Sequence, residues 1–560
     1  MEEKVRMFSD VLALNSLRDS DFDAYSAYGE VIDNSIQAEA KNVNLRFDKD
    51  GNGTILNLFF GDDGTGMPKE VLHKCMQLGY STRYNERTGI GRFGVGSKLA
   101  AINQCKRLEM YSKTKEGEWF FCYIDLDEIN KDPSGEAEIH PPIKKEIPKD
   151  IKGLVGPESG TLVIWSKYDR QPTKANTIMS EAKTWIGRTY RKFIWKKISI
   201  RLNGQEIKAI DPLYCNVEKT NFPDDPLAYE YTPMEITWPV DQVDRPKEAP
   251  DKSTIKIRMS LIDKKLRVYR GVGNAPETKE RCIDRNEGVS ILRADREVFY
   301  GHIPYWPGEE FKDIDRWWGC EISFDPWLDR SFLVKNIKRG AIPIPELKNV
   351  IYEKITPTRK SAVEQVQKDW NETALNEAEA KRKQQGELIT GHEDAEQVAA
   401  ETPTDKSEID KSRNKGDEAK KLAGQIAQGA DAIERAAWAT KFEDQPFTIK
   451  DGTWKGPSFI DINHIGGSDV IIYNTSHLFF SALSEIMTDL DQGKCDINKA
   501  KKLKSLIDLL LIAYSKSEAK FDAKMKFDSA EKFLEMLRLN WGLYLSHYIE
   551  TWEKKEDKNG

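Results

Sequence analysis

Between Thr88 and Ala101 the chain reads TGIGRFGVGSKLAA, and this run restricts the fold more than any other. Three glycines, Gly91, Gly94 and Gly96, precede a helix whose first residues are Ser97 and Lys98. Glycine allows close backbone approach, and the free N–H groups at the positive end of a helix favour phosphate. The run also satisfies G-x-G-x-x-G through Gly89, Gly91 and Gly94, with Glu109 about twenty residues further on, as a dinucleotide fingerprint requires. That fingerprint needs an apolar strand directly before its first glycine. Here the preceding residues are YSTRYNERT, polar and charged, which disfavours a dinucleotide site. No GxxxxGK[ST] occurs, so a Walker A loop is excluded.

Two further constellations lie upstream. In AYGEVIDNSIQAEA, residues Glu30, Asp33, Asn34 and Gln37 fall at i, i+3, i+4 and i+7, so one helical face carries two carboxylates and two amides. Taken alone, such a stripe reads as the wet side of a helix. In FFGDDGTGMP an apolar strand ends on a carboxylate, and two glycines one residue apart follow. Gly64 and Gly66 let the backbone approach a flat ligand while Asp62 accepts a hydrogen bond, although an ordinary acidic turn has the same look.

At 560 residues the chain has room for about three or four domains of roughly 100 to 200 residues each. Its 14 Trp, 22 Phe and 19 Tyr exclude a wholly disordered chain, because they can be buried against the entropy of ordering. The longest apolar run, around Leu509 to Tyr514, falls short of the ~20 residues a bilayer demands, so no membrane association is expected. The N-terminus, MEEKVRMFSD, lacks the pattern of an export signal, which makes a cytoplasmic location the expectation. Seven cysteines without a CxxC pair read as reduced core thiols. The net charge of −7 gives no global reason to bind nucleic acid. Locally, GRTYRKFIWKKISIR offers Arg188, Arg191, Lys192, Lys196 and Lys197 either as a phosphate-backbone footprint or as the exterior of a helix and strand.

Patterning divides the chain at 1–180, 181–370, 371–446 and 447–560. The first two parts alternate strands and helices. A hairpin is predicted over 43–60, another around Asn203-Gly204, and strands at TIKIRMSLI, KLRVYRG and GVSILRADREVFYG. The third part is rich in Ala, Glu, Lys and Gln, has Trp438 as its lone aromatic before residue 440, and reads as a linker or helical arm. The fourth is mainly helical, with amphipathic helices over 477–490, 501–514 and 530–552.

In order, a helix with Glu-x-x-Asp-Asn, a strand with Asp-x-Gly-x-Gly and a glycine-rich segment ending in Gly-x-Gly resemble the GHKL ATPases: gyrase B, heat-shock-90-type chaperones, MutL and MORC proteins. Gly160-Thr161, opening the strand TLVIWSK, fits a fourth family element. The resemblance spans roughly residues 20 to 360 and is closest to MORC-like and heat-shock-90-like prokaryotic ATPases. It implies an α+β fold: a Bergerat-type α/β sandwich, then a transducer domain of mixed α/β type and a helical C-terminal region. It implies ATP and Mg²⁺ as ligands, Glu30 as the general base, and Asn34 as the Mg²⁺ ligand with Asp33 in support. Asp62 would accept from the adenine amino group, with Gly64, Gly66, Met67 and Thr161 completing that pocket. Gly91, Gly94, Val95, Gly96 and Ser97 would wrap the phosphates as part of a lid over about 78–96, with Lys98 as a further contact. Lys338, in LVKNIKRG, would sense the γ-phosphate, and its neighbours Lys335 and Arg339 are alternatives for that role.

Glu30 stands four residues before Asn34, in the hydrolytic pattern, which disfavours a histidine kinase. HIGGSDVIIYNTSHLFFSALSE does not match the metal motif of a MutL endonuclease, so His464 and His477 read as packed or surface imidazoles. The expected activity is that of an ATP hydrolase working as a homodimeric clamp on DNA or a protein client, with family distribution suggesting prokaryotic genome or antiviral defence. The alternative is a scaffold that binds nucleotide without turnover and recruits an effector protein through its C-terminal domain.

Overall fold

The computed structural model describes residues 9–19, 22–80, 96–131, 137–243, 245, 248–303, 312–334, 340–384, 392, 396, 415–426, 430–465, 468–491, 493, 497–518, 527 and 529–559. The chain divides into two compact units, Met1–Val366 and Gln367–Gly560.

The first unit opens with α1 (Asp10–Leu17) and α2 (Ala24–Gln37). Asp23 starts α2 by accepting the Ser26 N–H at 2.7 Å, a cap worth about 1 kcal/mol. There follow β1 (Asn42–Lys49), β2 (Ile55–Asp62), α3 (Lys69–Cys75), α4 (Gly96–Gln104), β3 (Cys105–Lys113), β4 (Phe120–Asp125), α5 (Leu126–Ile129), β5 (Ile143–Lys144), β6 (Gly160–Tyr168), α6 (Ala175–Thr189), α7 (Arg191–Trp195), β7 (Ser199–Leu202) and β8 (Gln205–Glu206). The eight strands form one sheet in the order β5-β4-β3-β6-β2-β1-β7-β8, antiparallel throughout except for β1 with β7.

Period-two alternation splits this sheet's side chains between two cores. Leu58, Phe60, Val163 and Trp165 join Tyr28, Val31 and Ile32 of α2 and Ile178, Ala182 and Ile186 of α6 in one. Phe59, Tyr111, Phe121, Leu162 and Ile164 pack under Trp119, Ile147 and Ile151 on the other face. The Asn203-Gly204 hairpin forms as predicted, both turn residues having positive φ. Its sheet differs from the expectation: β7 pairs with β1, so the first sheet runs past residue 180.

The rest of the unit holds β9 (Tyr229–Glu230), β10 (Met234–Pro239), β11 (Lys252–Leu261), α8 (Pro276–Glu280), β12 (Val289–Arg293), β13 (Arg296–Gly301) and β14 (Trp318–Phe324). The second sheet has the order β10-β11-β14-β12-β13, with β9 also on β11, and β12 parallel to β14. KLRVYRG, read as a strand, forms none. There the Arg267 side chain is buried, with Nε donating to Ile262 O at 2.7 Å, which closes a local turn. α9 (Pro345–Gln384) starts near Pro345 as expected.

In the second unit, α10 (Lys415–Ile426) and α11 (Ala432–Asp444) precede β15 (Phe447–Gly452), β16 (Ile460–Ile465) and β17 (Ser468–Asn474), in the sheet order β15-β17-β16. A bare arm over 371–446 is therefore too simple: Trp438 and Phe442 of α11 and Leu422 of α10 share a core with Ile465, Val470 and Ile472. Three strands also interrupt the mainly helical pattern expected after 447. α12 (Leu478–Asp491), α13 (Ile497–Glu518) and α14 (Ala530–Asn559) surround Phe459, Phe480, Leu506, Leu545 and Ile549. The buried His477 imidazole bonds Gly542 O at 3.0 Å and Ser546 Oγ at 2.6 Å. Among the described residues no helix is long and apolar enough to cross a membrane.

Candidate nucleotide site

One turn of α2 carries Glu30, Asp33 and Asn34, and their surroundings differ. Glu30 is 5% exposed and Asp33 0%, whereas Asn34 is exposed. This is no wet helix face, because burying a carboxylate costs several kcal/mol unless partners offset it. Asp33 has such partners: Tyr190 Oη donates to Oδ1 at 2.8 Å and Arg296 Nε at 3.1 Å. Its carboxylate is therefore engaged by the residue between α6 and α7 and by the first residue of β13.

The opening of α4 meets Glu30. A Cβ built on Gly96 would stand 2.0 Å from Glu30 Oε2, so only glycine lets the helix start come this close. Ser97 is half-buried in the first turn. Lys98 is buried, its Nζ donating to Gln77 O and Tyr80 O, both at 3.2 Å. Burial lowers the Lys98 pKa. Gly91, Gly94 and Val95 of the expected lid lie outside the described residues, as do Lys338, Lys335 and Arg339.

The third part is built where β2 ends. Asp62 is 5% exposed; its Oδ1 accepts the Gly64 N–H at 3.0 Å and the Thr161 N–H at 3.1 Å, and its Oδ2 accepts the Ser35 hydroxyl at 2.8 Å. Burial raises its pKa, and the three donors pull the other way. The Thr161 hydroxyl shares a 2.9 Å bond with Ser112 Oγ, which accepts the Met67 N–H at 2.9 Å. Asp62, Thr161, Ser112 and Met67 thus form one connected polar rim. Gly66 closes the turn at φ +68°, where a Cβ would lie 1.9 Å from Lys113 O. Asp63 holds the sheet together, accepting the Lys41 and Asn42 N–H groups at 2.7 and 2.8 Å.

Ser35 and Ser112 belong to this rim and escape the sequence reading. Ser112 gains its position from the register that sets it opposite Thr161. Nothing in its own segment marks it as polar machinery.

These groups fit a magnesium nucleotide. An ionised carboxylate offers about four lone-pair sites, so Asp62 retains acceptor capacity beyond its three donors. Asn34 exposes an amide oxygen of the hard type that Mg²⁺ takes. Gly96 lets the Glu30 carboxylate lie directly against the start of α4. An antiparallel-rich sheet shares its larger core with α2, α4 and α6, and the acidic, amide and glycine elements lie on α2, at the start of α4 and at the end of β2. Residues 23–161 match the family model described as "Histidine kinase-, DNA gyrase B-, and HSP90-like ATPase". The match supports the GHKL superfamily for this segment. No curated protein matches the chain.

Proposed function

We propose that the first unit is a Mg²⁺-dependent ATP hydrolase, similar to the MORC-like and heat-shock-90-like branches of its superfamily. One observation carries this reading: the Glu30 carboxylate is nearly buried against Gly96, the first residue of α4, and the start of a helix is where free N–H groups favour phosphate. A carboxylate so held orients one water, and phosphoryl transfer asks for little more than positioning and charge neutralisation. The water oxygen attacks the γ-phosphorus, the bond to the β–γ bridging oxygen breaks with its electron pair leaving on ADP, and Glu30 takes the water's proton. Asn34 would hold Mg²⁺, which neutralises phosphate charge. Asp62, with Thr161, Gly64, Gly66 and Met67, would receive the adenine, its carboxylate accepting from the amino group.

In this reading ATP drives two copies into a closed clamp, and hydrolysis reopens it. Prokaryotic genome or antiviral defence is the setting such a clamp suggests. Internal pairing of most of the basic segment favours a protein client over DNA as its cargo: Arg188 bonds Glu297 at 2.7 Å, and Arg191 and Lys192 bond Glu321 at 2.6 and 2.9 Å, which leaves Lys196, bonded to Asp295 at the surface, and Lys197 as its exposed charges. The test is ATP turnover by wild type and Glu30→Gln. The expected result is a fall in kcat on the order of 10² to 10⁴-fold with ATP binding retained, and no stimulation of wild type by duplex DNA at low salt. Equal, near-zero rates in both proteins would sink the ATPase reading and favour the nucleotide-gated scaffold.

A further inference from the structure

Arg296 is the first residue of β13, in the second sheet, yet its guanidinium lies against α2. It is 2% exposed, and Nε stands 3.1 Å from the fully buried Asp33 carboxylate. Tyr190 completes the grip: its hydroxyl bonds Asp33 Oδ1 at 2.8 Å and Gly29 O at 2.9 Å. The contact is close enough to require glycine at position 29. A Cβ there would stand 2.9 Å from Arg296 Nη2 and 2.7 Å from the Trp185 ring. Residues 29 and 33 flank Glu30 on one side of a single turn, and Asn34 follows. The Arg296 charge also feels Glu30: burial alone disfavours the guanidinium, while Asp33, Tyr190 and Glu30 together favour it.

We propose that Arg296 is a positioning residue for the reaction at Glu30, a cation supplied by the second sheet that fixes the roll of α2 and hence the place of the carboxylate. The inference rests on the ATPase reading above. Side chains on an α-helix end roughly 5–6 Å from its axis, so a roll of about 20° moves a carboxylate by about 2 Å. A misplacement of about 1 Å can cost ~10²-fold in rate, so packing of apolar side chains alone is a poor guarantee of register. The Asp33–Arg296 pair supplies a directional restraint, and β13 is itself anchored, since Glu297 is held by Arg188 at 2.7 Å and Arg191 at 3.1 Å. The second sheet thereby acts on the chemistry from behind the helix, apart from any contact to the nucleotide.

The experiment compares Arg296→Met with Arg293→Met in the full chain, measuring melting temperature, ATP affinity and kcat. Arg293, on β12 of the same sheet, makes a largely buried pair with Asp329, at 2.6 and 2.8 Å. Both variants are expected to melt lower than wild type. Only Arg296→Met should lose at least about tenfold in kcat, with ATP affinity within about threefold, as a positioning role requires. A second variant removes no charge: Gly29→Ala favours the helix by about 1 kcal/mol yet crowds Arg296 together with the Trp185 ring that packs beside it. It should lower kcat in the same way, with a smaller added effect in the Arg296→Met background, because both act on one restraint. Unchanged kcat in Gly29→Ala, or equal kcat in the two arginine variants, overturns the proposal while a working wild type leaves the ATPase reading standing. A wild type without turnover overturns both.

Discussion

Asp62 must stay ionised where burial works against it. A carboxyl whose folded pKa stands above its unfolded value, about 3.9, contributes stability below that value and loses the contribution as pH rises through the folded pKa. At neutral pH the ionised Asp62 is therefore a cost, retained because an acceptor is needed at the end of β2. Asp62→Asn keeps an oxygen for the Gly64 and Thr161 N–H groups and removes the charge. It should melt no lower than wild type at pH 7 and lose ground to wild type as pH falls toward 4. Calorimetry should at the same time show ATP affinity weakened by about 10- to 100-fold, the effect of mispairing one buried donor. A parallel loss of stability and affinity at pH 7 would show that the carboxylate serves the fold instead. Asp62 and Gly66 are legible in the sequence because a strand, a carboxylate and a positive-φ turn are local features. Ser35 and Ser112 are not, since Ser35 reaches Asp62 through the packing of α2 on the sheet and Ser112 reaches Thr161 through strand register.

Single elements show the same limit on a larger scale. The 188–197 segment looks like a basic surface, and Arg188, Arg191 and Lys192 are drawn inward because Glu297 and Glu321 come from strands more distant in the chain, while Lys196 and Lys197 stay exposed. Arg191 of α7 is fully buried between them, at 3.1 and 2.6 Å, and also bonds Ser290 at 2.9 Å. Burial would raise the Glu321 pKa, but Arg191 and Lys192 overcome it and hold the carboxyl at about 2. Ionised Glu321 thus contributes stability that is fully present above its unfolded value, about 4.3, and lost as pH falls through about 2. Arg191→Met leaves buried carboxylates without their main cation and should cost about 3–5 kcal/mol at pH 7. The gap to wild type should narrow between pH 7 and pH 3, because the variant can protonate Glu321 earlier. Thermal melts over that range check this, and a constant gap would mean that Arg191 acts by packing rather than charge. The β7–β8 hairpin shows the topological version: Asn203-Gly204 fixes a turn, while its pairing with β1 depends on residues far earlier in the chain.

Across the whole molecule, the described residues that build the rim and the α2 turn all fall within Met1–Val366, while α9 runs on to Gln384. Trp438 explains why the later half is harder to read. As a lone aromatic in an Ala-, Glu- and Lys-rich stretch it suggests no core, yet it is 3% exposed because Ile465, Val470 and Ile472 arrive from strands beyond it. Composition taken in windows cannot see such partners. The division leads to a prediction about the chain ending at Gln384. It keeps both sheets of the first unit and all of α9, including the second-sheet arginine that grips α2. If nucleotide binding and chemistry belong to the first unit, this shortened protein should bind ATP and turn it over within about threefold of the full chain, a difference under about 1 kcal/mol. Equilibrium binding and steady-state kinetics on the two proteins side by side decide it. A loss beyond about tenfold in affinity, in a shortened chain that still melts cooperatively, would mean that residues after 384 take part in binding, and the site would then have to be redrawn to include the second unit.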